Sequence, residues 1–293
     1  MSLIGLEEGE YKIIHRFNIG TDARLSGVPA LNPRVLLCLD TETTGLKFPG
    51  DKIVELAMIA VEYEASTCQI TRVLDMYQSF ENPGIPISPE ASAVNGITDD
   101  MVKGMAFDDQ RVNKMIGIAN VICSHNAAFD RKFLEERFPS FVQKPWACSL
   151  NQVDWAAEGL SARSLDYLLY KMGYFVDAHR AMADTAGVVA VLLGNLPVSG
   201  ERVFAAMLEK ARAKSWKIYA VDTPYETKDI LRGRGYTWFT GDNDKPKAWF
   251  KYVQDKDAEL EFLAAEVYPS GSDLSRLPIH EVDAFSRFSV REP

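Results

Sequence analysis

One run constrains the fold of this chain more than any other: Arg34-Val-Leu-Leu-Cys-Leu-Asp-Thr-Glu-Thr-Thr-Gly45. Its five consecutive apolar residues, Val35 to Leu39, predict a strand buried on both faces. Such a strand belongs in the middle of a sheet that is covered above and below. The run closes on Asp40 and Glu42, with Gly45 as its stop. Residues two apart share a face of a strand, so the two acids point the same way. Carboxylates that close repel one another unless a proton or a cation intervenes. One reading is a solvated strand end; the other is a set of oxygen donors for a hard divalent cation.

The flanking sequence predicts an α/β domain around that strand. Ile53–Tyr63 is a long apolar strand with Glu55 inside it, and Ile70–Phe80 alternates as a third strand. Their short connections suggest an antiparallel meander. Asn82-Pro83-Gly84, Pro86 and Pro89 mark an irregular loop. Thr98-Asp99-Asp100 and Asp108–Ile118 read as helix starts. Val121-Ile122-Cys123 is a short buried strand, followed by Asn126 as the N-cap of a helix over Ala127–Phe138. Ala147-Cys148-Ser149 reads as a fifth strand, then Ser164–Met172 as a helix stopped by Gly173, and Arg180–Gly194 as the strongest helix. Adjacent strands followed by strands alternating with helices predict a mixed sheet flanked by helices.

A chain of 293 residues suggests one large domain and a small one. We read 1–32 as an N-terminal arm, 33–195 as the large domain, 201–268 as a small α+β domain and 269–293 as a surface tail, with Asn195–Gly200 as linker. The small domain holds a helix over Glu201–Lys214, a strand over Lys217–Val221 and a helix over Glu226–Arg232 ended by Gly233. A hairpin of Tyr236–Phe239 and Ala248–Val253 around Gly241-Asp242-Asn243-Asp244 follows, then a helix over Ala258–Val267. No apolar run approaches the ~20 residues that cross a bilayer. Glu7, Glu8 and Glu10 stand where a signal peptide would be basic. The four cysteines follow no metal-ligand spacing and read as reduced thiols of a cytoplasmic protein. The net charge of −9 is uneven: residues 201–252 hold 11 Lys+Arg against 7 Asp+Glu. Acids gathered around metal ions allow an acidic protein to bind phosphate.

Two further acids stand out. Asp130 lies in the first turn of a helix, where the helix dipole alone would favour it. Asp184 is in line with Val188 and Leu192 on an apolar helix face, an unfavourable place for a carboxylate that is neither paired nor metal-bound. His179, five residues earlier, cannot share that face and must stand on the preceding loop to reach the same site. Imidazole can take a proton near neutral pH.

These residues carry a family likeness. Asp40-Thr-Glu-Thr-Thr-Gly45, Ser124-His-Asn-Ala-Ala-Phe-Asp130 and His179-Arg-Ala-Met-Ala-Asp184 resemble the three motifs of the DEDDh 3′→5′ exonucleases. They are similar to the proofreading epsilon subunits of bacterial DNA polymerase III. The segment Asn82-Pro-Gly to Thr98 resembles the family's inter-motif loop, with Asn95 where relatives often have His. The likeness covers roughly 33–195 and implies an RNase H-like fold with a five-stranded sheet. It implies hydrolysis assisted by two Mg²⁺ or Mn²⁺ ions. Asp40 would bridge both, Glu42 and Asp184 would complete one, and Asp130 would hold the second, partly through water. His179 would be the general base. Thr43, Thr44, Gly45 and Leu46 would clamp the terminal nucleotide. Asn126 either contacts a phosphate or caps its helix, and Phe129 either stacks on a base or belongs to the core. The implied substrate is the 3′ end of single-stranded DNA, with RNA as the alternative. A DNA polymerase or another replication or repair protein is the implied partner, and a non-catalytic binding module is the competing class.

Residues 216–252 interleave Trp216, Tyr219, Tyr225, Tyr236, Trp238, Phe239, Trp249, Phe250 and Tyr252 with Arg232, Arg234, Lys245, Lys247 and Lys251. Aromatics among cations can stack bases, but a small domain also needs large rings to build a core. Leu231-Arg-Gly-Arg-Gly-Tyr-Thr-Trp238 and Lys247-Ala-Trp-Phe250 are similar to a module appended to some bacterial exonucleases of this family, and unlike a polymerase-binding tail.

Overall fold

The computed structural model describes residues 12–177, 179–241 and 247–292. The acids Glu7, Glu8 and Glu10, and the turn residues Asp242 to Asp244, lie outside them. The short strand β1 (His15–Arg16) precedes β2 (Pro33–Thr43), β3 (Ile53–Glu64) and β4 (Ile70–Phe80). The meander is antiparallel throughout. There follow α1 (Pro89–Asn95), α2 (Asp99–Val102), α3 (Asp109–Ile118), β5 (Val121–Ser124), α4 (Ala127–Arg137) and β6 (Trp146–Cys148). Then come α5 (Leu165–Met172), β7 (Tyr174–Phe175), α6 (Ala181–Leu192) and α7 (Val203–Arg212). The five-stranded sheet has the order β4-β3-β2-β5-β6, with β5 and β6 joined in parallel. It is the mixed α/β sheet that the strand pattern predicts.

The central strand is buried on both faces, and its parity sorts the core into two layers. Leu36 and Cys38 pack with Leu168 of α5, Val188 of α6 and Met207 of α7. Leu37 and Leu39 pack with Val112 of α3 and Phe133 and Leu134 of α4. Cys38, Cys123 and Cys148 are buried thiols within these layers.

Three expectations differ from the structure. The proline-rich loop contains helix α1, because Ser88 Oγ accepts the Ala91 N–H at 3.1 Å and Pro89 occupies the first turn. The chain divides after Ala211 rather than at Asn195–Gly200, because Val203, Phe204, Met207 and Ala211 of α7 are buried in the first unit's core. The segment read as a surface tail contributes a strand to the second unit.

The second unit holds β8 (Ser215–Ala220), α8 (Lys228–Gly233), β9 (Thr237–Phe239), β10 (Ala248–Val253), α9 (Lys256–Glu266) and β11 (Ile279–Val282). Its antiparallel sheet has the order β11-β8-β10-β9, and its core gathers Ile218, Leu231, Tyr236 and Leu263. Among the described residues no helix is long and apolar enough to cross a membrane.

Candidate active site

The site begins where β2 outruns its neighbour. Pairing with β5 stops at Cys38, while the ladder to β3 continues to Thr43. The tip of β2 therefore projects beyond β5. Its even-numbered residues face the layer that contains α6, so strand parity aims Asp40 and Glu42 at the start of that helix. Asp184, in the first turn of α6, meets them there. Carboxylate oxygens of Asp40, Glu42 and Asp184 lie within 4.8 Å of one another, each residue half-buried.

Asp130 approaches from the opposite layer. It is 2% exposed, and its Oδ1 accepts the Thr41 N–H at 3.1 Å and the Thr41 hydroxyl at 2.8 Å. It stands outside the three-acid cluster but close enough for its charge to act on Asp40. Asn126 turns the chain from β5 into α4 with φ 83°, a left-handed conformation. A side-chain cap needs the extended region instead, and Asn126 makes no cap hydrogen bond. That removes the capping role; the residue is exposed at the mouth of the turn.

Burial and mutual repulsion set the protonation of these acids. Burial first, then the charges of Asp130, Asp184 and Glu42, holds the Asp40 carboxyl well above the usual carboxylate range. Burial pushes Glu42 up to about 7, against an opposing hydrogen bond from Asn95. Asp130 and Asp184 are pushed to about 6, again foremost by burial. Among the described residues no ion pair joins Asp40, Glu42, Asp130 or Asp184 to a cationic side chain. An all-oxygen donor set that lacks a counter-cation fits a hard divalent ion.

His179 stands on the loop before α6, as the helical period requires, with φ 64° and an exposed side chain. Its backbone N–H donates to Asp184 Oδ2 at 2.8 Å, so the loop and the acid are tied together. The same loop is anchored upstream, where β1 pairs in parallel with β7 and the His15 N–H donates to Gly173 at 2.8 Å.

Glu55 is a member of the site that the motif reading left without a role. It is fully buried and opposes Glu42 across the β2–β3 ladder. It accepts Gln78 Nε2 at 2.6 Å and the Ala181 N–H at 3.4 Å, and the Arg180 guanidinium lies 3.7 Å away. It therefore holds the first turn of α6, which carries Asp184, against the sheet. The sequence signal was an acid inside the otherwise apolar stretch 53–61.

The residues after the first motif form a tight loop built on Asp51. Thr43 Oγ1 donates to the Gly45 carbonyl at 2.6 Å, and Thr44 Oγ1 to Asp51 Oδ1 at 2.9 Å. The Lys47 N–H donates to Asp51 Oδ2 at 2.7 Å. A Cβ on Gly45 would lie 2.6 Å from Asp51 Oδ2, so the Asp51 carboxylate is what requires glycine there. The loop leaves Leu46 80% exposed. Asn95, 4% exposed, stands behind Glu42 and receives the Ile97 N–H at 2.9 Å. Phe129 is half-buried against Phe133, with ring centroids 5.1 Å apart.

The family model described as exonuclease, represented by RNase T, matches residues 37–192. This chain belongs to the exonuclease family. The matched span takes in all four acids and His179. The exonuclease is 31% identical over 222 residues to the DNA polymerase III subunit epsilon-like protein of Rhodobacter capsulatus, covering 69% of this chain and 30% of that protein. It is 35% identical over 114 residues to the PolC-type DNA polymerase III of Halalkalibacterium halodurans, covering 38% and 7%. It thus spans less than a third of the length of either relative. A solved structure of Escherichia coli exonuclease I in complex with a 5cy-dA13 oligonucleotide superposes with a TM-score of 0.51 at 16% identity, covering 75% of this chain and 63% of that one. That likeness concerns the fold, which is RNase H-like.

Proposed function

We propose that this chain is a divalent-metal-dependent 3′→5′ exonuclease that hydrolyses single-stranded DNA from its 3′ end and releases nucleoside monophosphates. The observation that carries the proposal is the convergence of Asp40, Glu42 and Asp184 within 4.8 Å, with no ion pair to a cationic side chain among the described residues. Asp40 would be shared between two Mg²⁺ or Mn²⁺ ions, Glu42 and Asp184 would complete one, and Asp130 would serve the other. When bound, such ions make water more acidic and offset charge on the phosphate.

The chain's own residues do the rest. Imidazole at His179 accepts the proton of the attacking water, a role suited to a group on an exposed loop tied to Asp184. Water oxygen bonds to phosphorus, the bond to the 3′ oxygen of the preceding nucleotide breaks, and that oxygen is protonated as a new 3′ hydroxyl. Leu46, held in water by the Asp51 loop, wedges against the terminal base, while Thr43, Thr44 and Gly45 fix the loop. Asn126, exposed and relieved of capping, donates to a phosphate. Phe129 supports the floor from the core. Glu55 keeps α6, and with it Asp184, in register.

The names of the relatives, DNA polymerase III epsilon-like and PolC-type, suggest work beside a DNA polymerase, which we assign to replication or repair in the cytoplasm. The test is a 5′-labelled oligonucleotide incubated with pure protein and Mn²⁺, DNA and RNA in parallel. The expected result is a ladder that shortens from the 3′ end of DNA and stops when the metal is chelated. No shortening of either polymer would contradict the proposal.

A further inference from the structure

The second unit holds a cavity of about 340 Å³ whose walls include Trp238, Trp249, Tyr225, Lys228, Lys247 and Asp222. That volume lies at the small end of ligand sites, room for one flat ring system. The small domain's need for a core does not explain Trp238 and Tyr225. The core gathers Ile218, Leu231, Tyr236, Val253 and Leu263, and Trp249 packs on its edge. Trp238 and Tyr225 take no part in it, being 47% and 75% exposed. Trp238 meets Trp249 edge to face, with centroids 5.4 Å apart, so the two indoles are not stacked on each other. Cations are set against the rings: Lys228 Nζ lies 3.9 Å from the Tyr225 centroid, and the Arg232 guanidinium 6.0 Å from that of Trp249. In a chain of net charge −9, residues 216–252 hold seven Lys+Arg against five Asp+Glu.

We propose that this cavity binds single-stranded nucleic acid, with a base stacked on Trp238 or Tyr225 and the adjoining phosphates facing Lys228 and Lys247. Every base has a π face, so such a site tolerates any sequence. Asp222 can accept a base amino group from the cavity wall. The choice of ligand class rests on the nuclease reading above; the cavity, its exposed rings and its cations do not. The second unit would then be a holding site for the polymer from which the first unit removes nucleotides.

The test uses the full chain without divalent metal and a fluorescent oligothymidylate of about 20 nucleotides, with oligouridylate in parallel, read by anisotropy. At least one of Trp238→Ala and Tyr225→Ala should weaken binding about 5- to 100-fold. Trp238→Phe, which keeps a ring, should restore most of the affinity and guards against a folding defect in the alanine variant. Lys228→Glu with Lys247→Glu should weaken binding and flatten its salt dependence. Hydrolysis of a trinucleotide with Mn²⁺ should stay within about twofold of the parent in all of these variants, since each leaves the first unit's acids unchanged. A parent that does not bind the oligonucleotide, or alanine variants that bind it as the parent does, would overturn the proposal. Unchanged variant binding beside intact trinucleotide hydrolysis removes the cavity and leaves the nuclease. Lost variant binding with a parent that hydrolyses nothing keeps the cavity and removes the nuclease.

Discussion

Strand β3 carries buried acids at both ends, and the carboxylates gathered at its two ends stand in different electrostatic settings. At its far end Glu62 is 5% exposed, and its carboxylate receives Arg72 Nε at 3.1 Å and Nη2 at 2.8 Å, with the Ala30 N–H at 2.8 Å. Those donors, Arg72 foremost, hold Glu62 below the usual carboxylate range. At the near end Glu55 opposes Glu42, and Asp40 and Asp184 add two more carboxylates. There Asp40 and Glu42 are raised, by burial first and by neighbouring carboxylates next. Burial alone therefore does not mark a functional acid. Glu62 is buried with its donors supplied by the protein, and it ties the N-terminal segment to the sheet. The Asp40 cluster is half-buried, and among the described residues no ion pair supplies its counter-charge.

The difference can be broken by mutation, and the largest effect should fall on Asp40. Asp40→Asn should lower turnover by ~10³-fold or more, because metal stabilisation of the phosphate is worth several kcal/mol. The same change should raise the melting temperature in EDTA, since it removes a repelled charge; released mononucleotide and a thermal scan read the two effects. His179→Ala should lower turnover by ~10²–10⁴-fold, with metal affinity unchanged. Glu62→Gln should do the reverse of Asp40→Asn. It should lower the melting temperature by several degrees and leave turnover of the folded protein within about twofold.

The smallest effect is also the sharpest in sign. Glu42, Asp130 and Asp184 have folded-state values of about 7, 6 and 6, above their ordinary ones. The folded protein thus retains protons that the unfolded chain has released. Their contribution to stability is full below the ordinary carboxylate range and is lost as pH rises through about 6 to 7. The lowered Glu62 works the other way: its contribution is present above that range and disappears as pH falls through its own depressed value. Melting temperatures in EDTA should fall from about pH 5 to 8, and Mn²⁺ should restore more at pH 8 than at 5. A slope that persists in Glu42→Gln with Asp130→Asn and Asp184→Asn would place its origin elsewhere.

Much of this was legible in the sequence. The apolar run 35–39 fixed a strand buried on two faces, and alternation alone placed Asp40 and Glu42 together. The helical period put Asp184 on a buried stripe and forced His179 onto a loop. Asp130 was different: its position fits a helix dipole equally well, and only the motif singled it out. Its anchor to Thr41 joins α4 to the central strand between residues far apart in the chain, which no local pattern encodes. Glu55 was visible as an acid in an apolar strand, but its partners Gln78 and Ala181 come from separate elements. Asp51 was hidden for the same reason, as one loop acid whose bonds to Thr44 and Lys47 need the loop to be folded. Asn126 had a good capping residue type, and the left-handed turn between β5 and α4 overrode it.

The most direct measurement counts manganese. Metal-free protein at pH 8 is titrated with Mn²⁺ and the bound ions are read by electron paramagnetic resonance, in the parent and in Asp40→Asn. If the acids at the tip of β2 hold a pair of divalent ions, the parent binds two per chain and the variant loses both, or keeps one much more weakly. A parent that binds none, or a variant that binds as the parent does, would contradict it.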